Sequence, residues 1–119
     1  MSVPESALIN RQRYLKDAKG SSFLDAVFLI YFYNRYAKRG GADIAPSEVF
    51  DPVDSAEYQL AVARVSRLFT QNSAVGMAWF RYPGSRPYEE EFEIFKAQNP
   101  GFNESNYKLA ANRGIQEMR

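Results

Sequence analysis

The sequence contains neither cysteine nor histidine. This double absence excludes disulfides, a thiolate nucleophile, triads of the Ser-His-Asp type and the common zinc sites, because all of them need one of those side chains. The seven glycines match neither phosphate-binding pattern, G-x-x-x-x-G-K-[ST] or G-x-G-x-x-G. Carboxylate, lysine, arginine, tyrosine and hydroxyl chemistry remains. We therefore expect no metal and no cofactor. The missing catalytic side chains argue against an enzyme.

Long apolar runs and a strong net charge are missing as well. The longest unbroken apolar run, Ala26 to Tyr33, is far shorter than the roughly 17–25 residues of a membrane-spanning helix. The N-terminal residues lack the basic stretch and apolar run of a signal peptide. A net charge of +1 gives no general attraction to nucleic acid or to an anionic membrane. We expect a cytoplasmic protein with a single helical domain over residues 1–119.

The stretch from Ser22 to Arg39 is apolar around its whole circumference when it is placed on a helix. Ser22 is a good N-cap with Asp25 three residues later, and Gly40 allows the helix to stop in a left-handed conformation. We assign Asp25 to this helix start rather than to a buried catalytic acid. A helix that is apolar on every side needs cover on every side. The sequence therefore predicts a central helix over about residues 22–39.

Other segments carry helix-end signals or a helical period of apolar residues. The first, Pro4–Lys19, is joined to the central helix by so short a link that an antiparallel hairpin is expected. The next has Asp51 as its expected N-cap, with Pro52 and Asp54 in the first turn. We expect that helix to end near residues 72–73.

The last third of the chain holds one ambiguous stretch and two clearer helices. Ala74–Tyr82 alternates like a strand, but no second strand is available to pair with it, so a short helix is preferred. Ser85–Gln98 is the next helix, and Asn103 caps a final one in which Phe102 and Tyr107 have the spacing of a hydrophobic staple. The predicted fold is all-α: a single-domain bundle of four to six helices around the central apolar helix.

Acidic residues crowd the start of the predicted helix Ser85–Gln98, namely Glu89, Glu90, Glu91 and Glu93. Glu89 and Glu93 are four apart and could form a carboxylate pair or bind a hard cation. No second acidic motif of matching spacing completes an oxygen cage. We interpret the run as a solvated helix N-terminus, where the helix dipole favours negative charge.

Arginines and aromatic residues alternate in the middle of the chain: Arg64, Arg67, Arg81 and Arg86, with Phe69, Trp79, Phe80 and Tyr82. Charge next to stacking rings is typical of single-strand nucleic-acid binders. The footprint is small, the chain is nearly neutral and no nucleic-acid-binding motif is present. A weak nucleic-acid binder is therefore an alternative, while ordinary exposed helix faces are the preferred interpretation.

Aromatic residues make up 15% of the chain, more than a small core easily hides. A small bundle seldom surrounds one helix completely, and tyrosine suits the positions that reach the surface. We predict that a protein partner, or a second copy in a homodimer, binds at Tyr31, Tyr33 and Tyr36, with Arg35, Lys38 and Arg39 at the rim. The function favoured is a protein-interaction module: an adaptor, an inhibitor or an immunity-type binder. The alternative is a small non-metallo enzyme or ligand-binding domain that uses carboxylate, tyrosine and arginine groups.

Overall fold

The computed structural model describes residues 4–118 and shows an all-α fold. Its α-helices are α1 (Glu5–Lys19), α2 (Phe23–Phe32), α3 (Ser55–Trp79), α4 (Tyr88–Gln98) and α5 (Glu104–Glu117). A π-helical turn over Tyr33–Ala37 extends α2, and a 3-10 turn over Pro46–Glu48 lies in the connection to α3. No strand occurs in residues 4–118. The predicted all-α class with four to six helices is confirmed.

The chain divides into two compact units, Met1–Val62 and Ala63–Arg119, and α3 contributes residues to both. That the whole chain forms one domain stays a prediction. No helix within the described residues is both long enough and apolar enough to cross a bilayer. The sequence also predicts a capping box between Ser2 and Glu5, but Ser2 lies outside the residues that the structure describes.

In the first unit, α1 and α2 form the antiparallel hairpin that the short link predicts. The Asn10 side-chain amide donates to the carbonyl of Ala37 at 2.7 Å. One turn further along α1, the Tyr14 ring contacts the rings of Phe32 and Tyr33. Later residues of α1 therefore meet earlier residues of the second helix, which is the antiparallel register.

Ser22 caps α2 as predicted. Its hydroxyl oxygen accepts a hydrogen bond from the backbone N–H of Asp25 at 3.4 Å and donates one to Asp25 Oδ2 at 2.9 Å. Asp25 is thereby held at the helix start. From Asp25 to Ile30 every residue is buried. The all-round cover that an apolar helix needs is present over this stretch.

The connection after α2 is fastened back onto α1 and onto the π-helical turn. Arg11 of α1 donates to two backbone carbonyls of the connection and pairs with Glu48 at 2.7 Å. The Arg11 guanidinium, followed by the backbone N–H of Ala45, holds the pKa of the Glu48 carboxyl below its ordinary value. Asn34 both donates to and accepts from the backbone of Ile44. The connection is therefore fixed by polar contacts at both of its sides.

The start of α3 lies later than the sequence predicts. Asp54 rather than Asp51 is the N-cap, because its Oδ1 accepts from the backbone N–H of Glu57 at 3.0 Å and the helix begins at Ser55. Both aspartates are good caps, so local sequence does not separate them. The ring of Phe50 packs against one ring from α2 and one from α3. These ring contacts hold Phe50 against the core of the first unit and favour a helix that begins later than residue 51.

In the second unit, α3 continues without a break to Trp79, past the predicted end near residues 72–73. The stretch Ala74–Tyr82, which the sequence leaves open between helix and strand, is helical as far as Trp79. The buried side of this half of α3 is formed by residues three apart: Asn72, Val75 and Ala78. Spacing of three is helical, so the strand-like alternation has no structural meaning here.

Two glycines bring α3 and α5 into backbone contact. A Cβ atom on Gly76 would lie 2.5 Å from the carbonyl oxygen of Gly114. A Cβ atom on Gly114 would overlap the backbone of Asn72, 2.9 Å from its carbonyl carbon. Beside this crossing, the buried Asn72 side chain donates to the carbonyl of Ala110 at 3.0 Å. Gly76 and Gly114 therefore allow the two helices to pack closely.

The two last helices keep their predicted order and end signals. α4 begins later than predicted, at Tyr88, because the proline before it is extended. Asn103 Oδ1 accepts from the backbone N–H of Asn106 at 2.8 Å and so caps α5. The rings of Phe102 and Tyr107 meet edge to face at 5.8 Å. The predicted cap and staple of the last helix are confirmed.

Candidate functional site

Large apolar side chains are exposed together at the end of α3 and in the loop that follows it. The exposed fractions are 37% for Met77, 53% for Trp79, 40% for Phe80 and 42% for Tyr82. Single exposed apolar residues are ordinary, whereas a run of neighbouring ones marks an interaction site. These four residues are called the α3-end surface from here on.

Arg81 stands within the α3-end surface in a left-handed backbone conformation, with φ of 56°. Its N–H donates to the carbonyl of Ala78, and the N–H of Tyr82 donates to the carbonyl of Met77, both at 3.1 Å. This is a Schellman helix ending, whose left-handed position usually holds glycine. A side chain there costs about 1–2 kcal/mol, and such strain clusters at functional sites.

The guanidinium of Arg81 is available to a ligand. No carboxylate within residues 4–118 forms an ion pair with it, although Arg86 on the same loop pairs with Glu91 at 3.2 Å and Glu90 at 3.8 Å. Arg86 is thus neutralised locally. Arg81 supplies an uncompensated positive charge beside the exposed rings.

A cleft of about 550 Å³ opens next to the α3-end surface. Its lining includes Trp79, Arg81 and Tyr88, and the rings of Trp79 and Tyr88 meet edge to face at 5.1 Å. Burial, followed by the charge of Glu89, raises the pKa of Tyr88 above its ordinary value. The cleft can therefore receive an apolar group against the rings and an acceptor at Arg81 or at the hydroxyl.

The acidic run at the start of α4 forms ion pairs with different cations. Glu90 and Glu91 face Arg86, while Glu93 pairs with Lys96 at 2.9 Å. Within the described residues no three acidic side chains come together in a way that could hold a metal ion. That the protein works without a metal or a cofactor stays a prediction.

The arginines behind the nucleic-acid alternative differ in what they contact. Arg64 donates to the carbonyl of Pro100, and Arg86 is occupied by glutamates. Arg67 and Arg81 are exposed and make no ion pair within the part of the chain that the structure describes. Two available charges are few for a chain that must neutralise several phosphates.

The predicted partner-binding tyrosines do not share one environment. The side chain of Tyr33 is fully buried, and it packs against Tyr14, Ile30 and Ile44. Burial raises the pKa of Tyr33, and its hydroxyl has no hydrogen-bond partner among residues 4–118. Tyr33 therefore offers a partner no surface in this structure, because the ring belongs to the core of the first unit.

The remaining predicted partner-binding residues lie at and after the end of the central helix. The Arg35 guanidinium lies over the Tyr31 ring, 5.3 Å from its centroid, and Tyr36 contacts a ring of α2 at 5.5 Å. Lys38 pairs at 2.8 Å with a carboxylate of the following loop. Arg39 is exposed in a left-handed conformation with φ of 44°. Partner binding through these residues stays a prediction.

In the sequence, Trp79, Phe80 and Tyr82 are notable only as aromatic residues between arginines, and the α3-end surface is not predicted. The available signal is the order of residues: three aromatic side chains and Arg81 stand directly before the turn dipeptide at residues 83–84. A helix that ends there leaves no following turn of its own to cover them. No protein-family model matches this chain, and neither the curated proteins nor the solved structures contain a significant match to it.

Proposed function

We propose that the protein is a cytoplasmic protein-interaction module that binds its partner at the α3-end surface. The observation that carries this proposal is that Met77, Trp79, Phe80 and Tyr82, which lie close to Arg81 in the sequence, are all exposed. Aromatic residues, methionine and arginine are the residue types enriched at protein interfaces, and tryptophan, tyrosine and arginine dominate their hot spots.

The geometry favours a protein segment that presents an apolar side chain next to a carboxylate. The apolar group would pack against Trp79 and Tyr88 in the cleft, where the two rings already meet. The carboxylate would pair with Arg81, whose guanidinium can bind both carboxylate oxygens at once. Glu89 also lines this cleft, so the proposed carboxylate of the partner binds at Arg81 itself, which forms no ion pair within residues 4–118.

The presence of Arg81 at a position that suits glycine supports the same proposal. Within residues 4–118 no carboxylate forms an ion pair with Arg81 that would offset the strain of its left-handed backbone. A role in binding gives the residue a reason that the folded chain alone does not supply.

Site-specific photo-crosslinking in the native host tests the proposal. A benzoylphenylalanine probe replaces Phe80, which is aromatic and 40% exposed. The matched control places the same probe at Leu60, which is 71% exposed and lies in the other unit. The expected result is a discrete crosslinked protein from position 80, absent from position 60 and weakened by Arg81→Glu in the same chain.

Two results would overturn the proposal. Equal crosslinking from both probe positions would mean that the α3-end surface has no preference for a partner. A crosslinked product of twice the chain mass would assign the surface to a second copy of this chain instead of an acidic partner.

A further inference from the structure

A second cavity, of about 330 Å³, is lined by residues of the first unit. One face of α1 supplies most of its lining, at helical spacing: Ser6, Ile9, Asn10 and Arg13, with Ala7 beside them. Arg39, from the turn that follows the π-helical segment, completes it. The cavity is thus formed where the start of α1 meets the end of the α2 helix.

Two positive charges face this cavity without compensation. Arg13 and Arg39 are both exposed, and neither side chain forms an ion pair or a hydrogen bond within residues 4–118. The neighbouring cations behave differently, since Arg11 pairs with Glu48 and Lys38 with a loop carboxylate. Among the residues that the structure describes, the lining contains no acidic side chain. Such a concave, positively charged site attracts an anion.

The backbone around Arg39 is fixed on both sides. Before it, the carbonyl of Ala37 accepts from Asn10 at 2.7 Å; after it, the carbonyl of Ala42 accepts from Arg11 at 3.0 Å. Arg39 itself has a positive φ of 44°, in a conformation that suits glycine. Both π-helical turns and strained residues concentrate at functional sites. The backbone on both sides of Arg39 is therefore held by contacts within the chain.

We propose that this cavity binds a phosphate monoester that carries a small apolar group. A phosphate monoester bears a charge of about −1.5 to −2 at neutral pH, which two guanidinium groups balance. The hydroxyl of Ser6 can donate to a phosphate oxygen, while Ala7 and Ile9 offer an apolar wall to the ester group. The volume lies within the range of about 300–1,000 Å³ found for small-ligand sites. This inference is independent of the proposed protein partner.

Calorimetric titration of the full chain with phenyl phosphate tests the inference. The variants Arg13→Gln and Arg39→Gln each remove one charge from the cavity. Arg67→Gln is the matched control, because Arg67 is exposed and unpaired but lies in the other unit. Far-ultraviolet circular dichroism of every variant checks that the helices are kept. We expect saturable binding that each cavity variant weakens about tenfold or more and that the control leaves unchanged.

Further arms identify the anion and its source. Benzoate, which carries one negative charge, should bind more weakly than phenyl phosphate. Inorganic phosphate should bind more weakly as well, because it lacks the apolar group. Vesicles of phosphatidylcholine with phosphatidic acid separate a lipid headgroup from a soluble monoester: binding of free phenyl phosphate supports the soluble source, and binding to these vesicles alone supports the headgroup.

The inference fails under either of two results. Absence of saturable binding to phenyl phosphate below about 10 mM and to the vesicles would show that the cavity holds no phosphate monoester. Equal weakening by Arg67→Gln and by the two cavity variants would show that the attraction comes from overall charge. A normal partner crosslink at Phe80 alongside such a failure would leave the proposed function standing.

Discussion

Replacing Gly114 with alanine tests the crossing of α3 and α5 on which the second unit depends. The new Cβ atom would lie 2.9 Å from the carbonyl carbon of Asn72, 3.1 Å from its Cβ and closer still to its carbonyl oxygen. Normal carbon contacts are about 3.5–4.0 Å, so the helices must separate locally by about 0.5 Å or more. Two of the contacting atoms are backbone atoms, which cannot move aside as a flexible side chain does.

The expected loss of stability follows from three contributions. Overpacking costs about 1–3 kcal/mol. Displacing Asn72 from the carbonyl of Ala110 leaves a buried donor unpaired, at about 1–3 kcal/mol. Alanine in place of glycine returns about 1 kcal/mol of helix propensity. The free energy of unfolding of Gly114→Ala should therefore fall by about 1–5 kcal/mol, with a central value near 3 kcal/mol.

Urea unfolding followed by circular dichroism measures this change. The matched control is Gly20→Ala, where a Cβ atom would meet the nearest oxygens at 3.7 and 3.8 Å and the backbone φ is −90°. That control should stay within about 0.5 kcal/mol of the parent protein. If Gly114→Ala were as stable as Gly20→Ala, the helices could not be in backbone contact and the reasoning would be refuted.

Other predictions concern individual side chains. Arg81→Gly should raise the free energy of unfolding by about 0.5–1 kcal/mol, because relief of left-handed strain exceeds the added chain entropy; a loss in urea unfolding would contradict this. Glu48→Gln should lower the free energy of unfolding at about pH 6 and lower it much less at about pH 3. Pairing with Arg11 depresses the pKa of Glu48 in the folded state. The stabilisation from this pair is therefore complete above the unfolded-state pKa of about 4.3 and is lost as pH falls through the lower folded-state pKa. Glu89→Gln with Glu93→Gln should change the unfolding free energy by less than about 0.5 kcal/mol, since both are exposed; a larger loss, or about one tightly bound metal ion per chain by elemental analysis, would contradict the interpretation of the acidic run.

Local sequence predicts a helix end correctly where the cap side chain accepts a hydrogen bond from a backbone N–H a few residues away. Ser22 and Asn103 cap their helices as predicted, because the cap hydrogen bond is made within a few residues. The prediction of Asp51 as the N-cap of α3 is wrong because contacts distant in sequence decide between Asp51 and Asp54. Both residues are suitable caps, and packing of Phe50 against rings from two helices favours the later one.

Long-range contacts explain why α3 extends to Trp79, beyond the end predicted near residues 72–73. Gly76 and the alternating apolar residues around it indicate a helix end or a strand when they are considered alone. In the fold, Gly76 is the place where α5 approaches, so the glycine keeps the helix packed instead of ending it. The α3-end surface depends on this longer helix, which is why the sequence does not predict it. The local sequence around Gly76 does not show that α5 packs against α3 at this point.

The affinity of the crosslinked partner for Trp79→Ala tests the central claim most directly. Once purified, the partner is titrated calorimetrically into the parent chain, into Trp79→Ala and into the control Leu60→Ala, another exposed apolar residue. Trp79 is the most exposed ring of the α3-end surface, and truncating a hot-spot aromatic costs about 2 kcal/mol or more, which is roughly thirtyfold in Kd. We predict at least that loss for Trp79→Ala and less than about twofold for Leu60→Ala. Equal affinities for all three chains would contradict the assignment of partner binding to the α3-end surface.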